Sequence, residues 1–146
     1  MRLEFTSGLD PKRFAVNIRF LNNRSLPPDV RAAKEELAEE AQLHMATQNP
    51  GWRQRATDFY VVALDFIMTD RRNDIDGPSK RVLDAIFEGA GLSDSRVQEL
   101  YLRRYHGSQP GIAVSITQCR GGDYDIRDYR KGREREEPVG EDPADF

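Results

Sequence analysis

The sequence predicts one mixed α/β (α+β) domain with a short sheet and two helices, in the order β-α-β-α-β-β. Three observations carry this expectation. Apolar residues recur with a period of two in 14–21 and 112–117, and run almost unbroken through 59–68. Two longer stretches combine good helix formers with Pro or Asp at their starts and Gly near or beyond their ends. The 146 residues are enough for one domain with one core.

The elements follow in turn. Residues 1–12 read as a polar lead-in. In 14–21, Phe14, Val16, Ile18 and Phe20 alternate with Ala15, Asn17 and Arg19, as in a first strand with one buried face. Asn22-Asn23-Arg24-Ser25 is a turn. Leu26-Pro27-Pro28-Asp29 leads into a helix that continues to about Ala46 through Ala, Glu, Lys and Leu. Gln48-Asn49-Pro50-Gly51 ends it. Residues 59–68 are the strongest strand, and Tyr60-Val61-Val62-Ala63-Leu64 suits a central one.

A second helix occupies about 78–90, with Asp76 or Gly77 as its cap and Pro78 in its first turn. Val82, Leu83, Ile86 and Ala90 form its apolar stripe. Gly89 and Gly91 mark its exit. Residues 97–105 and 112–117 supply the last two strands, divided by a Gly- and Pro-containing turn. Domain organisation follows from this: a body over 1–120 and a charged tail over 121–146. With few aliphatics and much Gly, Pro and charge, the tail is expected to be mostly disordered.

Charge and composition narrow the function. The net charge is −3, which looks wrong for a nucleic-acid binder, but it is unevenly spread. Of the 22 basic and 25 acidic residues, five and nine fall in 121–146, leaving 17 basic and 16 acidic in the body. Arginine far exceeds lysine, and its planar fork suits phosphate. No apolar run approaches the ~20 residues of a membrane span, and Met1-Arg2-Leu3-Glu4-Phe5 has no signal-peptide core. A single cysteine, Cys119, cannot form an internal disulfide or a zinc knuckle. A cytoplasmic location and no membrane partner are expected.

The chemistry concentrates in Asn73-Asp74-Ile75-Asp76-Gly77-Pro78-Ser79-Lys80 and in Asp94. Asp74 and Asp76 are two apart, so in extended backbone both carboxylates face one way. Lys80 and Asp84 follow at helical spacing on one face. Asp94 can fold back if the chain turns after Gly91. Three carboxylates suit a hard divalent cation, and an amine suits a phosphate. The same residues have plainer roles. Asp before a helix is a common cap, and a Lys–Asp pair at i,i+4 is worth only ~0.3–0.5 kcal/mol.

The pattern Asp-x-Asp-x-x-x-Lys-x-x-x-Asp-Ala, followed by Gly-Leu-Ser-Asp-x-x-Val, resembles the core of the RusA family of Holliday junction resolvases. Nearly all of the resemblance lies between Phe66 and Tyr105. It implies that Asp74, Asp76 and Asp94 bind Mg²⁺ (or Mn²⁺ in its place) and are catalytic together with Lys80. Asp84 matches a recurrent acidic position beside them. The resemblance further implies an endodeoxyribonuclease that cuts four-way junctions or other branched DNA symmetrically, as a homodimer with two sites. Arg71, Arg72, Lys80 and Arg81 are the expected contacts to DNA phosphates. Two positions depart from the family pattern. Gly77 stands where members often have Asn, and Ser93 stands where they often have an acid. These departures favour, as the alternative, a DNA-structure-binding protein of the same fold with little or no cleavage. A third reading is a small interaction protein whose acidic tail docks a partner.

Other residues carry weaker signals. His44 and His106 lack partners at metal spacing, and Cys119 lacks a neighbouring base. Trp52-Arg53-Gln54-Arg55 could stack on an unpaired base, but anchoring its loop to the core is the simpler role. Arg103 and Arg104 fall on opposite faces of one strand. Gly89-Ala90-Gly91 lacks the Gly-Lys-Ser/Thr of a phosphate loop.

Overall fold

The computed structural model describes residues 1–15, 26–71 and 75–120, with Asp76 and Arg120 described by their backbone only. Four strands and two helices appear in the expected order: β1 Arg2–Ser7, α1 Pro28–Gln48, β2 Asp58–Met68, α2 Asp76–Ala90, β3 Val97–His106 and β4 Gly111–Arg120. Short 3₁₀ turns at Pro11–Phe14 and Asp94–Arg96 precede α1 and β3. The strands form one sheet in the order β1-β4-β2-β3. β3 runs parallel to β2, with α2 as the crossover between them, and the other pairings are antiparallel. The expected tail, 121–146, lies outside the described residues.

The first strand is not where the alternation of 14–21 places it. β1 is Arg2–Ser7, inside the stretch read as a polar lead-in. Leu3, Phe5 and Ser7 point inward, while Arg2, Glu4 and Thr6 point out. A buried serine hides this pattern in a hydropathy reading. Its hydroxyl is satisfied, accepting from the Leu9 amide at 3.1 Å. Phe14 is buried too, but as the last residue of a 3₁₀ turn whose start is capped by Asp10, which accepts from the Lys12 amide at 3.0 Å. The rest of the expected strand, 16–21, and the expected turn at 22–25 fall outside the described residues.

β2 is the middle of the fold. It pairs with β4 along one side and β3 along the other, and its residues alternate between buried and half-buried, so one face of its apolar run is fully covered. Tyr60, Val62, Leu64, Phe66 and Met68 face the helices. Ile112, Val114 and Ile116 of β4 lie beside them in register. α1 presents Val30, Ala33, Leu37, Ala41 and Met45 to this layer at helical spacing. Val82, Ala85, Ile86 and Phe87 of α2 complete it. Leu83, expected in the apolar stripe, is only partly buried.

Both ends of α2 correct the expectation. The helix begins at Asp76, and Ile75 holds the cap position (φ −90°, ψ −19°) without a side-chain cap bond. Pro78 tolerates this because first-turn N–H groups have no helical partner to lose. Gly89 is not part of the exit. It lies inside the helix, and a Cβ added there would sit 2.0 Å from the Ala38 carbonyl oxygen of α1. Gly89 therefore sets how closely the two helices cross. Gly91 is the true stop, with φ 73° in the left-handed region that favours glycine. The Leu92 amide then closes back on the Phe87 carbonyl at 2.8 Å.

Candidate functional site

Asp94 reaches α2 because the helix stops cleanly. Gly91 turns the chain, buried Leu92 pins it, and the 3₁₀ turn Asp94–Arg96 carries it back beside the helix. Lys80 lies one turn into α2 from Asp76, and its Nζ bonds Asp84 Oδ1 at 3.1 Å. The same ammonium is 3.8 Å from Asp94 Oδ2. Three of the residues singled out from the sequence thus meet at one place. Asp84 raises the Lys80 pKa above the usual lysine value, chiefly through their hydrogen bond, and Asp94 adds to the effect. Lys80 is therefore fully protonated at neutral pH.

Asp76 is the first residue of α2, one turn before Lys80. Its side chain, and the whole of Asp74 and Arg72, lie outside the described residues. Among the described residues, no group of three or more His, Cys, Asp or Glu side chains could hold a metal ion. The described donors here are the carboxylate oxygens of Asp84 and Asp94, of the hard kind that Mg²⁺ takes.

The turn that presents Asp94 is held from the side by residues whose part in it local sequence does not reveal. Gln54 Oε1 accepts from the Ser93 amide at 2.9 Å and from the Tyr60 hydroxyl at 2.9 Å. Burial pushes the Tyr60 phenol well above its usual range, so it remains a donor. Arg96 donates to the Ala56 carbonyl, and its guanidinium lies 5.2 Å from the centre of the Phe59 ring. Asp58, buried at the base of the same loop, accepts from the Arg55 amide at 2.6 Å. Trp52 packs edge-on to Tyr60 with ring centres 6.4 Å apart. The loop is anchored to the core through this tryptophan, the simpler of the two roles considered for it.

The basic residues divide into two groups. Arg81 turns inward, donating to the Gly77 carbonyl at 2.7 Å and the Phe14 carbonyl at 3.3 Å. It joins the start of α2 to the first 3₁₀ turn. Arg71 is exposed where the chain leaves β2. Two further cations converge there. Lys12 lies 3.5 Å from the Asp70 carboxylate, and Arg104 donates to the Asp70 carbonyl at 2.9 Å. Neither was predicted as a DNA contact, since Lys12 sat in the supposed lead-in and the fold alone brings Arg104 to Asp70.

Arg103 and Arg104 do fall on opposite faces. Arg104 pairs in register with buried Phe66, while Arg103 forms a two-bond pair with Asp65 at 2.6 and 3.0 Å on the open face. His44 stacks on Phe5 with ring centres 4.8 Å apart, a packing contact. Compared with known proteins, the chain matches no protein-family model and no curated protein.

Proposed function

We propose that this protein is a Mg²⁺-dependent endodeoxyribonuclease that acts on branched DNA, four-way junctions above all. The observation that carries the reading is the protonated Lys80 held between Asp84 and Asp94, one helical turn from Asp76. It supports the ligand pattern of the resemblance, because the third aspartate of that pattern comes back to the lysine from 14 residues further along the chain. Asp74, Asp76 and Asp94 would hold the cation, with Mn²⁺ able to replace Mg²⁺. The ion would supply Lewis acidity toward a phosphate oxygen.

The chain's own residues do the rest. Lys80 places a fixed positive charge beside a phosphate oxygen and favours the charge that builds there during attack. Asp84 keeps that ammonium oriented. The exposed Arg71, with Arg72 and the neighbouring Lys12 and Arg104, would hold backbone phosphates and read shape rather than sequence. A junction needs two matched cuts, so the acting form is a homodimer with two sites. The cytoplasm is the proposed location. Among the described residues, no helix is long and apolar enough to cross a membrane.

A second reading, DNA-structure binding with little cleavage, is favoured by one distance. The Lys80 ammonium lies only 3.8 Å from Asp94 and can neutralise the carboxylate that a cation would need. Cleavage of a labelled four-way junction beside a linear duplex of the same sequence, with Mg²⁺ and with EDTA, separates the readings. Paired symmetric nicks on the junction alone, abolished by EDTA, are expected. A shifted junction band without nicks supports binding only, and neither shift nor nick overturns both.

A further inference from the structure

The large apolar side chains that stand exposed among the described residues are Leu43, Leu100, Tyr101 and Tyr105, at 67, 42, 52 and 48%. Three of these four lie on β3. β3 is an outer strand of ten residues, paired with β2 on one side, and among the described residues no strand pairs with its other side. The opposite outer strand is treated differently. The Gln48 side chain donates to the Glu4 carbonyl at 2.6 Å and accepts from the Glu4 amide at 2.9 Å. Asn49 donates to the Arg2 carbonyl at 2.9 Å. The Arg2 carbonyl and both backbone groups of Glu4, on the outer edge of β1, are thus met by side chains at the C-terminal end of α1. A long strand edge that the described residues leave without such cover is a template for another strand.

The sequence of β3 indicates which strand. Two copies meeting edge to edge about a two-fold axis perpendicular to the sheet run antiparallel and keep their open faces on one side. Each β3 residue must then face a residue of the same face. Glu99, Tyr101, Arg103 and Tyr105 share the open face with Ala63, Asp65 and Ile67, while Leu100, Leu102 and Arg104 share the helix side with Val62, Leu64 and Phe66. Few registers remain.

Centred on Tyr101, the pairing over the regular stretch 99–105 sets Glu99 opposite Arg103 twice, Leu100 opposite Leu102 twice and Tyr101 opposite itself. Such cross-strand pairs, acid with base and apolar with apolar, are the stabilising kind. Centred on Leu100, Glu99 faces Tyr101. Centred on Leu102, Glu99 faces Tyr105 and both leucine-side partners become arginines or leucine itself. Neither neighbouring register brings an acid opposite a base. Arg103 holds Asp65 through Nε and Nη2, which leaves Nη1 on the far side for a second carboxylate. Nucleic acid is the poorer occupant, because Glu4, Asp65 and Glu99 outnumber Arg2 and Arg103 on this face.

We propose that β3 is the self-association edge of this protein, and that two copies pair antiparallel about Tyr101 into one continuous sheet. This gives a surface to the homodimer of the proposed function and rests on that reading only for the dimer's use. The readouts below need no DNA, so failure to cut DNA and failure to associate are separate results. Sedimentation of the full chain should give twice the chain mass, and Glu99→Arg should weaken association roughly tenfold or more, since it sets arginine against arginine twice. In a Cys119→Ser background, Tyr101→Cys should form a reducible covalent dimer on mild oxidation. Facing Cα atoms across an antiparallel pair are ~4.5–5.5 Å apart, within disulfide reach. Tyr105→Cys should not, because its own mate lies about 26 Å along the strand. A chain that remains monomeric at about 100 μM overturns the proposal. So does a dimer in which Tyr101→Cys fails to cross-link, or in which Tyr105→Cys cross-links equally well.

Discussion

The two halves of α2 have opposite duties. The C-terminal half is packing: Ile86 and Phe87 are fully covered, Gly89 lies against the backbone of α1, and Gly91 closes the helix. The N-terminal part also packs, through Pro78 and Val82, but its outer face is chemistry: Lys80, with Asp84 a turn on, stands near Asp94, and Gly77 has open space around it. A single helix thus carries a rigid end that fixes position and a polar end that uses it. Stability and activity should respond to different substitutions along its 15 residues.

The largest effect should come at the packed end. Gly89→Val sets a branched side chain against the Ala38 carbonyl and should cost about 3 kcal/mol or more. A urea midpoint shifted well down at unchanged slope is the expected result, with activity lost only as the fold is lost. Gly77→Ala is the matched control at the other end. It meets nothing within 4 Å, so the midpoint should hold or rise by up to ~1 kcal/mol.

Asp94→Asn should do the reverse of Gly89→Val. Cleavage of a junction should fall about 100-fold or more, as when one electrostatic contact to a transition state is removed. The urea midpoint should move by less than ~0.5 kcal/mol, because Asp94 is largely exposed. Equal loss of stability and activity would erase the distinction between the two halves.

Gln54→Ala tests the clamp between them. The buried Tyr60 hydroxyl and the Ser93 amide both lose their acceptor, at a cost of about 1–3 kcal/mol. Hydrogen exchange at the Ser93 amide should quicken, and the Mg²⁺ needed for half-maximal cutting should rise while the rate at saturating Mg²⁺ changes little. An unchanged Mg²⁺ requirement would reduce Gln54 to a packing role.

The smallest effect belongs to the Lys80–Asp84 pair. Lys80→Met should shift stability by no more than ~0.5 kcal/mol, since the ammonium is mostly in water. The sign with pH is set by the raised Lys80 pKa. Its contribution is complete below the ordinary lysine value of 10.5 and fades only as pH climbs through the higher folded value. Between pH 7 and 9, wild type and Lys80→Met should therefore differ by a constant amount.

Much of this arrangement is written in local pattern. The run from Tyr60 to Leu64 announces a central strand, and the Asp-Lys-Asp spacing of α2 places those side chains on one face before any tertiary contact is known. Asp94 near Lys80 also follows, given a left-handed residue at Gly91. β1 escaped because its alternation is short and its third inward residue is a serine, satisfied by Leu9. Gly89 was misjudged because a glycine near a helix end serves equally as a stop or as a crossing point. Only Ala38, 51 positions earlier, decides which. The clamping role of Gln54, within the Trp52–Arg55 stretch, is hidden for the same reason. Its worth lies in a bond to an amide 39 residues away.

The covering of β1 by Gln48 and Asn49 has one more consequence. A sheet that grows by edge pairing stops when no open edge is left. With part of the β1 edge met by side chains at the end of its own helix, the proposed joining at β3 would leave the eight-stranded sheet with partly covered margins. Two amide side chains at the end of α1 would then oppose further growth of the sheet beyond two copies.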